Sequence, residues 1–257
     1  MITNKTKLII SCSSNPSNFG CKIYNYIFNK LDLNFFYFPI KTTNSKSVCR
    51  SLRDMNIYGA SISMPMKNSV INFLDHIDKN SQITQSVNTV INKNGKLNGY
   101  NTDYFGFHKA IEHLNINNVA IYGSGSVVDS ILYSLKKRKI ENIDIYARNN
   151  LKIIKLEKKF QIKKTYCDNI KYDLFINATP VVFNKDIKNL ILKSQNVFDL
   201  KVSINDSKII KFAKKNNINS INGFEMYKYQ FLKQFFFYTG VVLESKKIEK
   251  LILLALK

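Results

Sequence analysis

The side chains of this chain that could do chemistry lie in three short strings: Ser63-Met64-Pro65-Met66-Lys67, Ser86-Val87-Asn88-Thr89 and Gly99-Tyr100-Asn101-Thr102-Asp103. They supply a lysine, an aspartate and several amide and hydroxyl groups. Oxidising a secondary alcohol needs a group that takes the hydroxyl proton as hydride departs. An ammonium sharing its proton with a carboxylate can do this. The carboxylate favours the charged lysine, and desolvation favours the neutral one. Lys67 and Asp103 are therefore the candidate acid–base pair. Ser63, Asn88, Thr89 and Asn101 are side chains of the kind that bind neighbouring hydroxyls. Each member of the pair also has a plain reading. Lys67 at the start of a helix, where its charge opposes the dipole, is equally an ordinary surface lysine. Asp103 is equally the N-cap of a helix opening at Tyr104.

A further string, Gly123-Ser124-Gly125-Ser126, follows the apolar run Val119-Ala120-Ile121-Tyr122. A glycine turn between strand and helix lets backbone N–H groups reach a pyrophosphate, and the helix start adds partial positive charge. Gly123, Ser124, Gly125, Ser126 and Val127 are the candidate cradle. The fuller fingerprint has a third glycine, absent here, although Ser126 and Ser130 are small. An acidic residue closing the next strand would favour NAD. This chain has Ala147-Arg148-Asn149 there, while Asp144 lies earlier, inside the strand. Arg148 offers forked donors for a 2′-phosphate, so the expected cofactor is NADP. The simpler readings are a mere tight turn and a solvated loop arginine.

These groups need a scaffold to position them. Residues 7–11 read as a strand, 21–32 as a helix with Ile23, Ile27 and Leu31 at spacing four, 35–39 as a strand and 45–55 as a helix. A strand over 59–64 stops at Pro65, and a helix is expected over 67–74. Residues 87–91 and 96–99 form a hairpin on Asn94-Gly95. A linking helix over 104–114 leads to a buried strand over 118–122 and a helix over 127–137. Strands follow at 142–147, 174–178 and 197–200, with helices at 208–215, 226–239 and 244–254. Such alternation predicts a parallel-sheet α/β protein of two lobes that meet near residue 104. The expected lobes are 1–104, completed by helices over 224–257, and 105–223.

Composition narrows the class. The 257 residues are 45% hydrophobic, enough for one large core or two ordinary ones. No apolar run approaches the ~20 residues that span a bilayer, and residues 1–7 do not resemble a secretory signal, so the cytosol is expected and no membrane partner. Cysteines 12, 21, 49 and 167 show neither C-x-x-C nor metal-ligand spacing, which predicts reduced thiols and no metal. Net charge is +21, from 39 Lys and Arg against 18 Asp and Glu. The excess is mostly lysine in short surface-type clusters such as Lys136-Lys137-Arg138-Lys139, without an RNA-binding motif, so no specific nucleic-acid partner is expected. The positive field would still draw in an anionic substrate or cofactor.

Together the three central strings, the glycine loop, Asn177-Ala178-Thr179 and Gly223-Phe224-Glu225-Met226 resemble the shikimate dehydrogenase family over nearly the whole chain. The resemblance implies an amino-terminal substrate lobe and a Rossmann-type NADP lobe with a cleft between them. It implies reversible NADPH-dependent reduction of 3-dehydroshikimate to shikimate, in the pathway to aromatic amino acids, by a monomer or homodimer. Lys67 and Asp103 match the family's catalytic pair. Ser63 stands where the family has a substrate-binding threonine, Asn88 matches the substrate asparagine, and Gln230 the substrate glutamine. Gly223 matches a glycine beside the nicotinamide, Arg148 falls on the adenosine-phosphate arginine, and Thr179 and Leu200 fall in the cofactor-binding loops. Asn18 and Gly20 occupy the positions of a Ser-x-Ser pair that holds the substrate carboxylate. Val202 replaces a tyrosine. These departures resemble the shikimate dehydrogenase-like subgroup. They leave quinate or another cyclic hydroxy acid open as substrate, beside a non-catalytic NADP-binding protein and a basic RNA-associated one.

Overall fold

In the computed structural model, which describes residues 2–163, 170–180 and 183–257, the chain divides into two compact units. One comprises Met1–Thr102 with Phe231–Lys257, the other Asp103–Gln230. Cys167 and Lys164 lie outside the described residues. Among the described residues no helix is long and apolar enough to cross a membrane.

In the first unit, β1 (Lys7–Ser13) buries both Ile9 and Ile10, the pattern of a strand covered on both faces. It pairs in parallel with β2 (Phe35–Lys41) and with β3 (Gly59–Ile62). Next come β5 (Thr89–Lys93) and β6 (Lys96–Tyr100), then the two-residue β4 (His76–Ile77), giving the order β2-β1-β3-β5-β6-β4. The sheet is mixed rather than parallel. The pairs β3/β5 and β5/β6 are antiparallel, because Asn94 (φ 52°) and Gly95 (φ 83°) make the tight turn their types favour. Helices α1 (Asn18–Lys30) and α10 (Ser245–Ala255) pack on each other. Helix α2 (Ser45–Asp54) is capped by Asn44, which accepts from the Ser47 amide.

Two expectations for this unit are corrected, and one helix is added. Helix α1 starts at Asn18, not at residue 21, because its first turn carries polar residues and Gly20 that leave no apolar periodicity. The helix expected over 67–74 is only a 3-10 turn, Ser69–Phe73. Between it and β5 lies a short helix that apolar spacing does not show, α3 (Lys79–Thr84), started by Asp78 accepting from the Ser81 amide at 2.9 Å.

Asp75 ties these pieces together. It accepts from the Leu97 amide at 2.7 Å and from Arg53 at 2.9 Å, and Lys96 lies 3.6 Å away. The Leu97 amide first, and then Arg53, hold its carboxyl down at about 2. A carboxyl whose folded pKa lies below its unfolded value of about 4 contributes stability in full above that value and loses it as the pH falls towards about 2. Asp75→Asn should therefore melt below the parent at neutral pH, with the gap closing on acidification. A gap that stays constant across a pH series of thermal melts contradicts this.

The second unit holds an all-parallel sheet ordered β11-β10-β9-β7-β8, from β7 (Asn118–Tyr122), β8 (Asn142–Tyr146), β9 (Tyr172–Asn177), β10 (Ser194–Asp199) and β11 (Asn219–Asn222). Helices α4 (Asp103–Ala110), α5 (Ser126–Lys137), α6 (Asn150–Phe160), α7 (Lys185–Leu192) and α8 (Lys208–Lys215) accompany it. Helix α9 (Gly223–Thr239) starts here, and residues 231–239 belong to the first unit. Apolar residues of α7 and α8 join β9 and β10 in one core around Phe175 and Val197. Spacing alone misses α6, α7 and β11. Asparagine caps start both helices: Asn149 accepts from the Lys152 amide and Asn184 from the Ile187 amide. After β7 the chain builds β8 on one side and β9 on the other. The carboxyl ends of β7 and β9 thus form the switch point where open α/β sheets bind ligands.

Candidate active site

Within the first unit, register brings the three strings to one end of the neighbouring interior strands β3, β5 and β6. Ser61 faces Thr89 and Thr89 faces Tyr100 across neighbouring strands. The Ile62 amide donates to the Asn88 carbonyl at 2.8 Å, and the Asn88 amide to the Tyr100 carbonyl at 3.1 Å. The Val87 amide donates to the Lys67 carbonyl at 2.8 Å. Ser63, exposed, follows β3, and its amide donates to Cys12. Lys67 is half-buried in a turn that precedes five 3-10 residues, so no α-helix dipole opposes its charge and that expectation is withdrawn. Asn88 and Thr102 are buried, and the Thr102 amide donates to Asn88 Oδ1 at 3.0 Å. Asn101 donates to Thr84 Oγ1 at 2.8 Å, so α3 props the loop that ends β6.

Asn18 is exposed and Gly20 half-buried in the first turn of α1. A Cβ on Gly20 would lie 3.4 Å from the Tyr37 ring and 3.6 Å from its hydroxyl. Tyr37 is hydrogen-bonded to Ser11 and Ser61, and Ser61 Oγ lies 2.8 Å from the Tyr238 hydroxyl. Burial pushes the Tyr37 phenol up to about 12 and the Tyr238 phenol well above its ordinary value. Both are therefore neutral hydroxyls at working pH. Sequence reasoning missed this cluster and the buried Gln234, whose amide bonds Thr89 Oγ1 at 2.7 Å. The one available signal was a polar tip on otherwise apolar strand and helix faces.

In the second unit Asp103, buried, is the first residue of α4 rather than a cap outside it. One turn on, a Cβ at Gly106 would lie 2.6 Å from the Met226 carbonyl oxygen and 2.9 Å from Gln230 Cβ. Gln230 thus packs against α4 within a turn of Asp103. Of the other expected residues, the glycine loop, Arg148, Thr179, Leu200 and Gly223 all sit at carboxyl ends of parallel strands. Gly123 has φ +132°, and a Cβ there would lie 2.8 Å from Thr179 Cγ2. Gly125 caps α5 with no side-chain bond, and nothing lies within 4 Å of where its Cβ would be. A Cβ on Gly223 would lie within 3 Å of the Leu200 carbonyl oxygen, which fixes α9 against that loop. Thr179 donates to Asn177 Oδ1 at 2.8 Å, and Asn177 donates to Asp199 Oδ1 at 2.9 Å. Arg148 is exposed in the bend after β8. Asp144 accepts from the Tyr172 hydroxyl at 2.8 Å, and burial drives that phenol's pKa far up. Asp144 is therefore committed inside the unit. Val202 is exposed. Cys12, Cys21 and Cys49 carry free thiols, and burial raises Cys12 to about 12 and Cys49 to about 11.

Residues 17–90 match the family described as the shikimate dehydrogenase substrate binding domain. A shikimate dehydrogenase-like protein of Haemophilus influenzae is 32% identical, covering 93% of each chain. A shikimate dehydrogenase (NADP(+)) of Pelagibacter ubique is 34% identical over 93% of this chain and 95% of its own. The crystal structure of a shikimate dehydrogenase in complex with NADP+ superimposes with a TM-score of 0.85 at 27% identity, over 100% of this chain and 98% of that one.

Proposed function

Because the chain belongs to the shikimate dehydrogenase family, we propose that it catalyses the reversible NADP-dependent reduction of 3-dehydroshikimate to shikimate. The observation that carries the reading is the meeting of Ser63, Lys67, Asn88 and Thr102 at one end of strands β3, β5 and β6, with Asp103 the next residue of the chain. The first unit is then the substrate unit and the second the cofactor unit. The substrate and cofactor are soluble anions, in keeping with a cytosolic monomer or homodimer.

The second unit's loops fit NADP. Open space over Gly125 lets a phosphate oxygen approach the amides that start α5. Thr179, Leu200 and Gly223 line the neighbouring strand ends. Arg148, exposed where NAD enzymes carry a carboxylate, suits a 2′-phosphate. Bound NADPH supplies the hydride that reduces the substrate carbonyl carbon. Lys67 Nζ holds the proton that passes to the carbonyl oxygen in reduction and takes it back in oxidation. Asp103 balances the ammonium charge, which keeps the proton available at that nitrogen. Asn88, Ser63 and Gln230 hold the ring hydroxyls.

Quinate is the second reading, left open because Asn18 and Gly20 stand where the family's two serines hold the carboxylate. The Tyr37 hydroxyl, 3.6 Å from where a Cβ on Gly20 would lie, is a group beside that position that could replace them. One assay tests both readings, following reduced cofactor with NADP and shikimate, quinate or related acids. Shikimate with NADP is expected to give the highest kcat/KM. Arg148→Gln should raise the KM for NADPH by about tenfold to a hundredfold, the loss of a charged hydrogen-bonded pair, and leave that for NADH unchanged. Preference of the parent for NADH overturns the cofactor assignment, and turnover of none of these acids overturns the reaction.

A further inference from the structure

A line of buried hydrogen bonds runs through the first unit behind Asn88. The Tyr24 hydroxyl of α1 donates to Gln234 Oε1 at 2.7 Å. Gln234 Nε2 donates to Thr89 Oγ1 at 2.7 Å and to the Asn88 main-chain carbonyl at 3.3 Å. Thr89 Oγ1 donates to Asn88 Oδ1 at 2.9 Å. The Thr102 hydroxyl lies 3.0 Å from Asn88 Nδ2 and 3.1 Å from Oδ1. All five residues are buried.

The polarity of this line is set by two main-chain groups whose roles cannot reverse. A carbonyl oxygen only accepts, so the Gln234 end facing the Asn88 carbonyl is its nitrogen. An amide N–H only donates, so the Asn88 end facing the Thr102 amide is its oxygen. The Thr89 hydroxyl sits between the two carboxamides with a single proton. It accepts from Gln234 and therefore spends that proton on Asn88. Reversing the Asn88 carboxamide would set Nδ2 against the Thr102 N–H and the Thr89 hydroxyl proton together. Buried donors left facing donors are costly.

We propose that Gln234 and Thr89 are positioning residues that lock the Asn88 carboxamide with its oxygen inward, so that the site addresses a substrate hydroxyl through a nitrogen donor. This rests on Asn88 being a substrate residue. The site then selects for a hydroxyl oxygen with an open lone pair at that ring position. Neither residue touches the reacting atoms, so a loss here acts on substrate affinity more than on the chemical step.

The test measures shikimate binding by calorimetry and steady-state KM and kcat for parent, Thr89→Val, Thr89→Ser and Gln234→Leu. Thr89→Val keeps the shape and removes the hydroxyl. It should raise Kd and KM for shikimate by about tenfold, the scale of one buried hydrogen bond, with kcat and the KM for NADPH within about twofold, a shift too small to amount to one such bond. Thr89→Ser restores the hydroxyl and should return both to near the parent values. Gln234→Leu should shift in the same direction as Thr89→Val and serves if the valine variant fails to fold. If either folded variant binds shikimate as the parent does, or if serine fails to rescue, the positioning role is wrong. A parent that neither binds nor turns over shikimate or quinate sinks the dehydrogenase reading instead.

Discussion

Replacing Lys67 with methionine is expected to lower kcat for keto reduction by about 10²–10⁴-fold, the range of one positioned acid–base group. Methionine keeps an unbranched apolar stem of similar length and removes the proton-bearing nitrogen. Lys67 lies in a turn outside the regular elements, held through its main chain by the Val87 amide. The substitution therefore leaves that hydrogen bond intact, and thermal unfolding should move little. Affinity for NADPH, followed by fluorescence titration, should stay near the parent value, because Lys67 belongs to the first unit and the glycine loop to the second. Asp103→Asn should fall in a similar range, since the carboxamide cannot balance the ammonium charge. The double variant should lose much less than the product of the two single losses, as for groups acting as a unit. Full activity in either single variant removes that residue from the pair.

The second large effect concerns two glycines that a motif search treats alike. Gly123→Ala puts a side chain where φ is +132° and where its Cβ would lie 2.8 Å from Thr179 Cγ2 and 2.9 Å from the Ala178 carbonyl oxygen. Backbone in that region costs an L-residue about 1–3 kcal/mol before any clash. This variant should melt several degrees lower, at about 2–4 °C for each kcal/mol, and bind NADPH poorly because the switch point itself is distorted. Gly125→Ala meets nothing within 4 Å and has φ −76°, which alanine adopts freely. It should melt like the parent yet bind NADPH about tenfold more weakly, its methyl occupying space that a phosphate oxygen needs. Paired melting curves and fluorescence titrations separate the two. If Gly125→Ala binds NADPH normally, the phosphates do not approach there.

The groups of the candidate site could be named from the primary structure because its parts are local. Each string is contiguous, and strand–turn–helix around Gly123 is a pattern of neighbours. The hairpin at Asn94-Gly95 follows from two residues that tolerate positive φ. Helices α2, α5, α8 and α10 follow the expected bounds to within a residue. The misses share a cause. Helices α3, α6 and α7 are started by Asp78, Asn149 and Asn184 accepting from amides, a signal that apolar spacing does not carry. The segment over 67–74, expected to be a helix, holds five 3-10 residues that bury only Val70.

What the chain determined alone is therefore an inventory: an amine, a carboxyl, hydroxyls, amides and a glycine turn, each in its local setting. Folding decided which of these became partners and which way they face. Gln234 reaches Thr89 across 145 positions and Tyr238 reaches Ser61 across 177. A hydrogen bond depends on distance and direction in space, and these long-range partners meet only after the sheet has set its register and the last helices have packed against it.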